Sequence, residues 1–106
     1  MSDEIKTNNN SEGYNLAVIG ATGNVGRELL EILHERNFPI KSLVALASEK
    51  SVGMKLPFGE GDDLEVKNLS DFNFTGTDIV LSSPGSEISK RYSPIAAEAG
   101  AVVIDN

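Results

Sequence analysis

Gly20-Ala21-Thr22-Gly23-Asn24-Val25-Gly26 places glycines at intervals of three. It is a variant of the G-x-G-x-x-G fingerprint, and the chemistry it offers is anion binding by backbone atoms. Gly20 lets a strand turn sharply, Gly23 lets the backbone approach a bulky anion, and Gly26 lets a helix pack closely on a sheet. Free N–H groups around Gly23, Asn24 and Val25 then face a pyrophosphate, aided by the helix dipole. Thr22 adds a hydroxyl donor. A tight strand–helix turn with no ligand would also use three glycines. Context favours the nucleotide, because the loop follows an apolar run and opens an amphipathic helix.

Two further segments extend this reading. An NAD site places an acid ~20 residues beyond the glycines to hold the ribose 2′-OH. Here Leu46-Ala47-Ser48 carries no acid at its tip, and Glu49-Lys50-Ser51 follows. Ser48 and Ser51 donate hydrogen bonds and Lys50 supplies a point charge, which favours NADP over NAD provided Glu49 turns away. The competing reading is a solvated turn. Ser82-Ser83-Pro84-Gly85-Ser86 lies after a third apolar run, at an edge that faces the same crevice in an open α/β sheet. It fits passage along a nicotinamide ribose, or an ordinary Pro-Gly turn capped by Ser86. His34 reads as a cation near a helix end without catalytic role. Asp62-Asp63 reads as a solvated turn, and Lys90-Arg91 as an exposed helix face or a contact with another domain.

These residues need a scaffold, and the hydrophobic pattern supplies one. Tyr14-Asn15-Leu16-Ala17-Val18-Ile19 reads as a buried strand. Val25, Leu29, Ile32 and Leu33 recur at helical spacing, ending near Asn37 and Pro39. Ser42 to Ala47 is a second buried strand, completing a βαβ unit. Met54 to Phe58 and Leu64 to Lys67 alternate around a Gly/Asp turn, predicting a small hairpin that is an insertion or an edge and not core. Asp78 to Leu81 is another strand. Ile88, Tyr92, Ile95, Ala96 and Ala99 share a helical face interrupted by Pro94, predicting a kink there or two short helices with Ser93 as N-cap. Gly100 closes the helix, and Ala101 to Ile104 is the next strand. The expectation is a Rossmann-like α/β domain over residues 14–106: a mostly parallel sheet, flanking helices and a small edge hairpin. Residues 1–13 are polar and Asn-rich and read as a disordered tail.

Composition narrows the classes. The 106 residues include no cysteine and one histidine, and carry a formal charge of −7. The charge argues against nucleic acid and anionic membrane surfaces. No apolar run approaches the ~20 residues of a spanning helix. Without cysteine there is no disulfide, no cysteine metal ligand and no thiol nucleophile. No basic, apolar leader is visible at the start, so a cytoplasmic setting is the default. The final residues follow an apolar strand with no helix to cover it, which reads as the first part of a larger protein, incomplete without a C-terminal portion.

Assembled in order, VIGATGNVG at 18–26, LASEKSVG at 46–53, SPGS at 83–86 and AVVIDN at 101–106 resemble the amino-terminal domain of the aspartate-semialdehyde dehydrogenase family. The resemblance spans about residues 14–106. It implies that the glycine loop holds the pyrophosphate of NADP(H), that Ser48, Lys50 and Ser51 hold its 2′-phosphate, and that Ser83, Pro84, Gly85 and Ser86 lie along the nicotinamide half. Two departures stand out: Lys50 replaces the usual arginine, and Pro84 replaces a smaller residue. The family reduces β-aspartyl phosphate to aspartate semialdehyde in amino-acid biosynthesis, leading to lysine, threonine and methionine. It uses a cysteine nucleophile and a histidine acid/base, and it acts as a homodimer or homotetramer on a small-molecule substrate. Those catalytic residues would all lie beyond position 106, so the chain alone is expected to be inactive, with no catalytic or metal-binding residue. Two alternatives stay open: a piece of N-acetyl-γ-glutamyl-phosphate reductase, and a non-catalytic NADP-sensing or interaction module.

Overall fold

The structure is a computed structural model describing residues 13–59, 61, 63–82 and 86–105, with backbone alone for 86, 87, 89 and 105. The proposed tail, apart from Gly13, lies outside the described residues. In chain order the elements are β1 (Tyr14–Ile19), α1 (Asn24–Glu35), β2 (Ile40–Ala47), β3 (Lys55–Leu56), β4 (Leu64–Asn68), β5 (Ile79–Ser82), α2 (Ser86–Glu98) and β6 (Val102–Asp105). Short 3-10 turns at Glu49–Ser51 and Leu69–Asp71 follow β2 and β4.

The strands form one sheet in the order β3-β4-β2-β1-β5-β6. Every described pairing is parallel except β3 with β4. The chain runs from β1 outward to β2 on one side and later returns to β5 on the other. That reversal makes a crevice at the carboxyl end of β1, where open α/β sheets bind ligands. This is the Rossmann-like fold that the apolar runs imply.

Side chains alternate across the central strands and split the core in two. Leu16, Val18, Leu43 and Ala45 face one side with Leu30 and Leu33 of α1. Ala17, Ile19, Val44 and Leu46 face the other with Ala96 of α2. Fully burying each larger aliphatic side chain contributes roughly 1.5–3 kcal/mol. At the amino end of the sheet a polar knot fixes β1. Asn15 Nδ2 donates to the Gly76 carbonyl at 3.0 Å, Ser42 Oγ donates to Asn15 Oδ1 at 2.7 Å, and the Asn15 N–H donates to Asp78 Oδ2 at 2.8 Å.

Three expectations change. First, the hairpin forms at the sheet edge, but its second strand is core. β4 pairs with β2 as well as β3, and Leu64 and Val66 are buried. Of the two hairpin strands, only β3 lies at the edge of the sheet. Lys55 Nζ reaches Glu65 Oε1 across the hairpin at 3.2 Å. That hydrogen bond, with Lys67 close by, holds the Glu65 carboxyl below its ordinary pKa. Second, the buried stripe of α1 is Gly26, Leu30 and Leu33, whereas Ile32 is exposed and Val25 only half-buried. The cause is Gly26, which presses on the preceding turn and sets the helix's rotation. Third, of the two alternatives at Pro94 the division into two helices with Ser93 as a cap is removed, because α2 runs as one helix through Pro94.

The helix ends follow local chemistry. After α1 the Asn37 N–H bonds the His34 carbonyl, the Phe38 N–H bonds the Leu33 carbonyl, and Asn37 takes φ 51°. After α2 the same pattern links Gly100 to Ala97 and Ala101 to Ala96. Both are Schellman caps with a left-handed residue, a role that Asn or Gly fills at little strain.

Candidate functional site

The glycine turn sits at the carboxyl end of β1, between the two halves of the sheet. Gly20 has φ 75°, a left-handed conformation that costs a residue with a Cβ roughly 1–2 kcal/mol. Its N–H bonds the Leu46 carbonyl of β2 at 2.9 Å, which carries the ladder into the turn. A Cβ on Gly26 would collide with the Gly20 carbonyl oxygen and lie 2.7 Å from the Ala21 Cα. Gly26 is therefore glycine because α1 starts against its own entry loop.

Gly23 differs from both. It caps α1 with an ordinary extended backbone, φ −78° and ψ 172°, and a Cβ there would meet only the Gly20 oxygen at a comfortable 3.6 Å. Neither conformation nor internal packing calls for glycine at this position. It is exposed, and a side chain would occupy the space above the helix end. No side chain caps that end. Among the described residues, the N–H groups of Asn24, Val25 and Gly26 have no backbone acceptor, and the first bond into the helix runs from the Arg27 N–H to the Gly23 carbonyl. Arg27 also donates from Nε to the Thr22 carbonyl at 3.1 Å, bracing the loop from the first helical turn. Three free donors, a positive helix end and an open approach fit a phosphate group.

Ser48 lies at the carboxyl end of β2 and begins the 3-10 turn, where the Ser51 N–H bonds the Ser48 carbonyl at 2.9 Å. Ser48 and Lys50 are exposed and Ser51 is half-buried. A cleft of about 330 Å³ opens beside this turn. Its lining includes Ser48 and Glu49 after β2, and Asn68, Leu69 and Ser70 at the end of β4. Ile88, Arg91 and Tyr92 of α2 complete the lining. Of the three residues proposed for a 2′-phosphate, Ser48 borders this cleft, while Lys50 and Ser51 are not among its lining residues. Asn68 Oδ1 accepts from the Ser70 N–H at 3.1 Å and from Ser70 Oγ at 2.9 Å, which ties these two lining residues together. The Arg91 guanidinium carbon stands 5.7 Å from the Tyr92 ring centroid.

Nothing local in the sequence marks the end of β4 or α2 as part of this lining. Had β4 been read as a parallel strand beside β2, its carboxyl end would have been placed next to Ser48. Ser83, Pro84 and Gly85 lie outside the described residues, and Ser86 enters only as the first residue of α2. His34 is exposed and stands edge-on to Phe58, with centroids 5.6 Å apart, away from the cleft. Asp63 is exposed and Asp62 lies outside the described residues. Among the described residues no cluster of carboxylates and histidine is placed to hold a metal. No described helix is long and apolar enough to cross a membrane.

The family model described as "Semialdehyde dehydrogenase, NAD binding domain" matches residues 15–106, which takes in every element apart from the first residue of β1. The chain belongs to this family. Its glycine turn and the cleft at Ser48 therefore sit in a nucleotide-binding domain. Aspartate-semialdehyde dehydrogenase of Rickettsia bellii is 54% identical over 92 residues, 87% of this chain and 27% of its own length. That of Legionella pneumophila is 49% identical over 96 residues, covering 91% of this chain and 27% of its own. In three dimensions the chain is similar to aspartate semialdehyde dehydrogenase II of Vibrio cholerae, solved with ASA. The TM-score is 0.85 at 47% identity, over 90% of this chain and 31% of that one. A probable aspartate-semialdehyde dehydrogenase of Pseudomonas aeruginosa gives a TM-score of 0.84 at 37% identity, over 89% and 28%. The chain thus spans between a quarter and a third of the length of these relatives.

Proposed function

We propose that residues 14–106 form the NADP-binding part of an aspartate-semialdehyde dehydrogenase, with residues 1–13 a tail outside it. In that enzyme the reaction is reduction of β-aspartyl phosphate to aspartate semialdehyde, with release of phosphate. The observation that carries this reading is Gly23, whose missing side chain serves no need of the protein's own packing and leaves three backbone donors open. Gly20, Thr22, Gly23, Asn24, Val25 and Gly26 hold the pyrophosphate. Ser48, Lys50 and Ser51 stand at the adenosine end, and Ser83, Pro84, Gly85 and Ser86 at the nicotinamide end. NADPH supplies the hydride. The chain's own contribution is to bind and orient, because the sequence has no cysteine to form a thioester. The enzyme works on a small-molecule substrate and as a homodimer or homotetramer.

Isothermal calorimetry of the 106-residue chain with NADP and NAD tests the reading. NADP is expected to bind and NAD to bind more weakly. Phosphate-dependent reduction of NADP with aspartate semialdehyde is expected to be absent. Failure to bind either dinucleotide would overturn the assignment of the loop, and equal binding would remove the role of the serines and Lys50.

A further inference from the structure

We propose that Arg91 on α2, and not Lys50 alone, provides the cation for the 2′-phosphate of the dinucleotide, in the cleft that it lines together with Ser48. This rests on the dinucleotide reading above and deepens it. Lys50 lies in the 3-10 turn after β2, exposed and outside the cleft lining. Arg91 lines the same cleft as Ser48 and Lys50 does not, so a phosphate held in that space by the Ser48 hydroxyl is bordered by a guanidinium.

The chemistry of the cleft supports this placement. Leu69, Ile88 and Tyr92 give an apolar surface of the kind a purine ring covers, and the rim beside it is polar. Arg91 sits over the Tyr92 ring at 5.7 Å, and no carboxylate pairs with it among the described residues. A guanidinium with no carboxylate partner has N–H groups to offer a phosphate in a bidentate bond, which an ammonium cannot form. Glu49 is the one carboxylate in the lining and faces the same space. Within a chain of net charge −7, Arg91 offsets it where an anion must enter. The cleft therefore selects by a balance of one guanidinium against one carboxylate.

Calorimetry with 2′,5′-ADP and 5′-AMP on the wild-type chain and on Arg91→Gln, Arg91→Lys and Glu49→Gln reads this balance. Arg91→Gln is expected to weaken 2′,5′-ADP about tenfold, with 5′-AMP changed by less than about twofold. Arg91→Lys recovers part of the loss, since charge without the planar fork gives part of the contact. Glu49→Gln tightens 2′,5′-ADP and leaves 5′-AMP unchanged. Arg91 is exposed, so matching thermal unfolding curves verify that each variant keeps its fold. An equal loss for both nucleotides assigns Arg91 to the adenine and overturns the proposal. Unchanged binding of both overturns it too. If the wild-type chain binds neither NADP nor 2′,5′-ADP, the dinucleotide reading itself falls. If it binds NADP and Arg91→Gln matches it, only the role of Arg91 falls.

Discussion

A Cβ at position 26 would lie 2.7 Å from the Ala21 Cα and 2.9 Å from its carbonyl carbon, both backbone atoms that cannot swing aside. At position 23 the nearest contact is 3.6 Å, ordinary van der Waals distance. The two glycines of one loop therefore answer to different pressures, and one substitution at each separates them. Gly26→Ala is expected to cost about 1–3 kcal/mol through overpacking, read as a lower urea midpoint. Gly23→Ala changes stability by less than about 1 kcal/mol, because its backbone suits alanine and only the helix cap is affected. Its effect appears in calorimetry instead, as weakened NADP binding. A Gly23→Ala chain that binds NADP like the wild type would remove the reason given for that glycine.

At the scale of elements, β4 is where the chain and the fold diverge. Five residues after a Gly/Asp turn look peripheral in sequence, since their alternation matches a hairpin exposed on one side. In the sheet Ala45, Leu46 and Ala47 of β2 pair in parallel with Val66, Lys67 and Asn68, and the hairpin's buried face joins the main core. Leu64 is 1% exposed and Leu43 of β2 is fully buried. Leu64→Ala is therefore expected to cost as much as Leu43→Ala, about 2–5 kcal/mol by denaturant unfolding. A loss below about 1 kcal/mol would mark the hairpin as an appendage. The other elements were legible because their causes are local. The apolar runs of β1 and β2, the glycine turn and the Asn37 and Gly100 caps each depend on a few adjacent residues. The rotation of α1 was not, because it is set by contact between Gly26 and the turn before it.

For the whole molecule, the sheet ends differ in how they are finished. On one side β3 is short, and the salt-linked Lys55 and Glu65 add charge to the hairpin. On the other, β6 is the last strand, with Val102 at 61% and Ile104 at 49% exposure and Ile95 of α2 also exposed. An uncovered strand with apolar side chains is a template for further pairing. The 106-residue chain is expected to associate as its concentration rises, by sedimentation velocity. Val102→Lys with Ile104→Lys shifts it toward monomer, and an unchanged distribution would clear this edge of responsibility.

The same division runs through the candidate site. The order of residues alone determined the glycine turn and the free backbone N–H groups proposed to bind phosphate, since strand, turn and helix start are contiguous. It also determined the parallel sheet, through the length and spacing of the apolar runs. Only the tertiary structure decided which side chains share the cleft. Ser48, Ser70 and Arg91 follow or belong to three elements far apart in the chain. They meet because parallel strands deliver their following segments to one edge of the sheet. That convergence depends on strand order, and strand order depended on β4, whose place beside β2 is a matter of packing between distant residues.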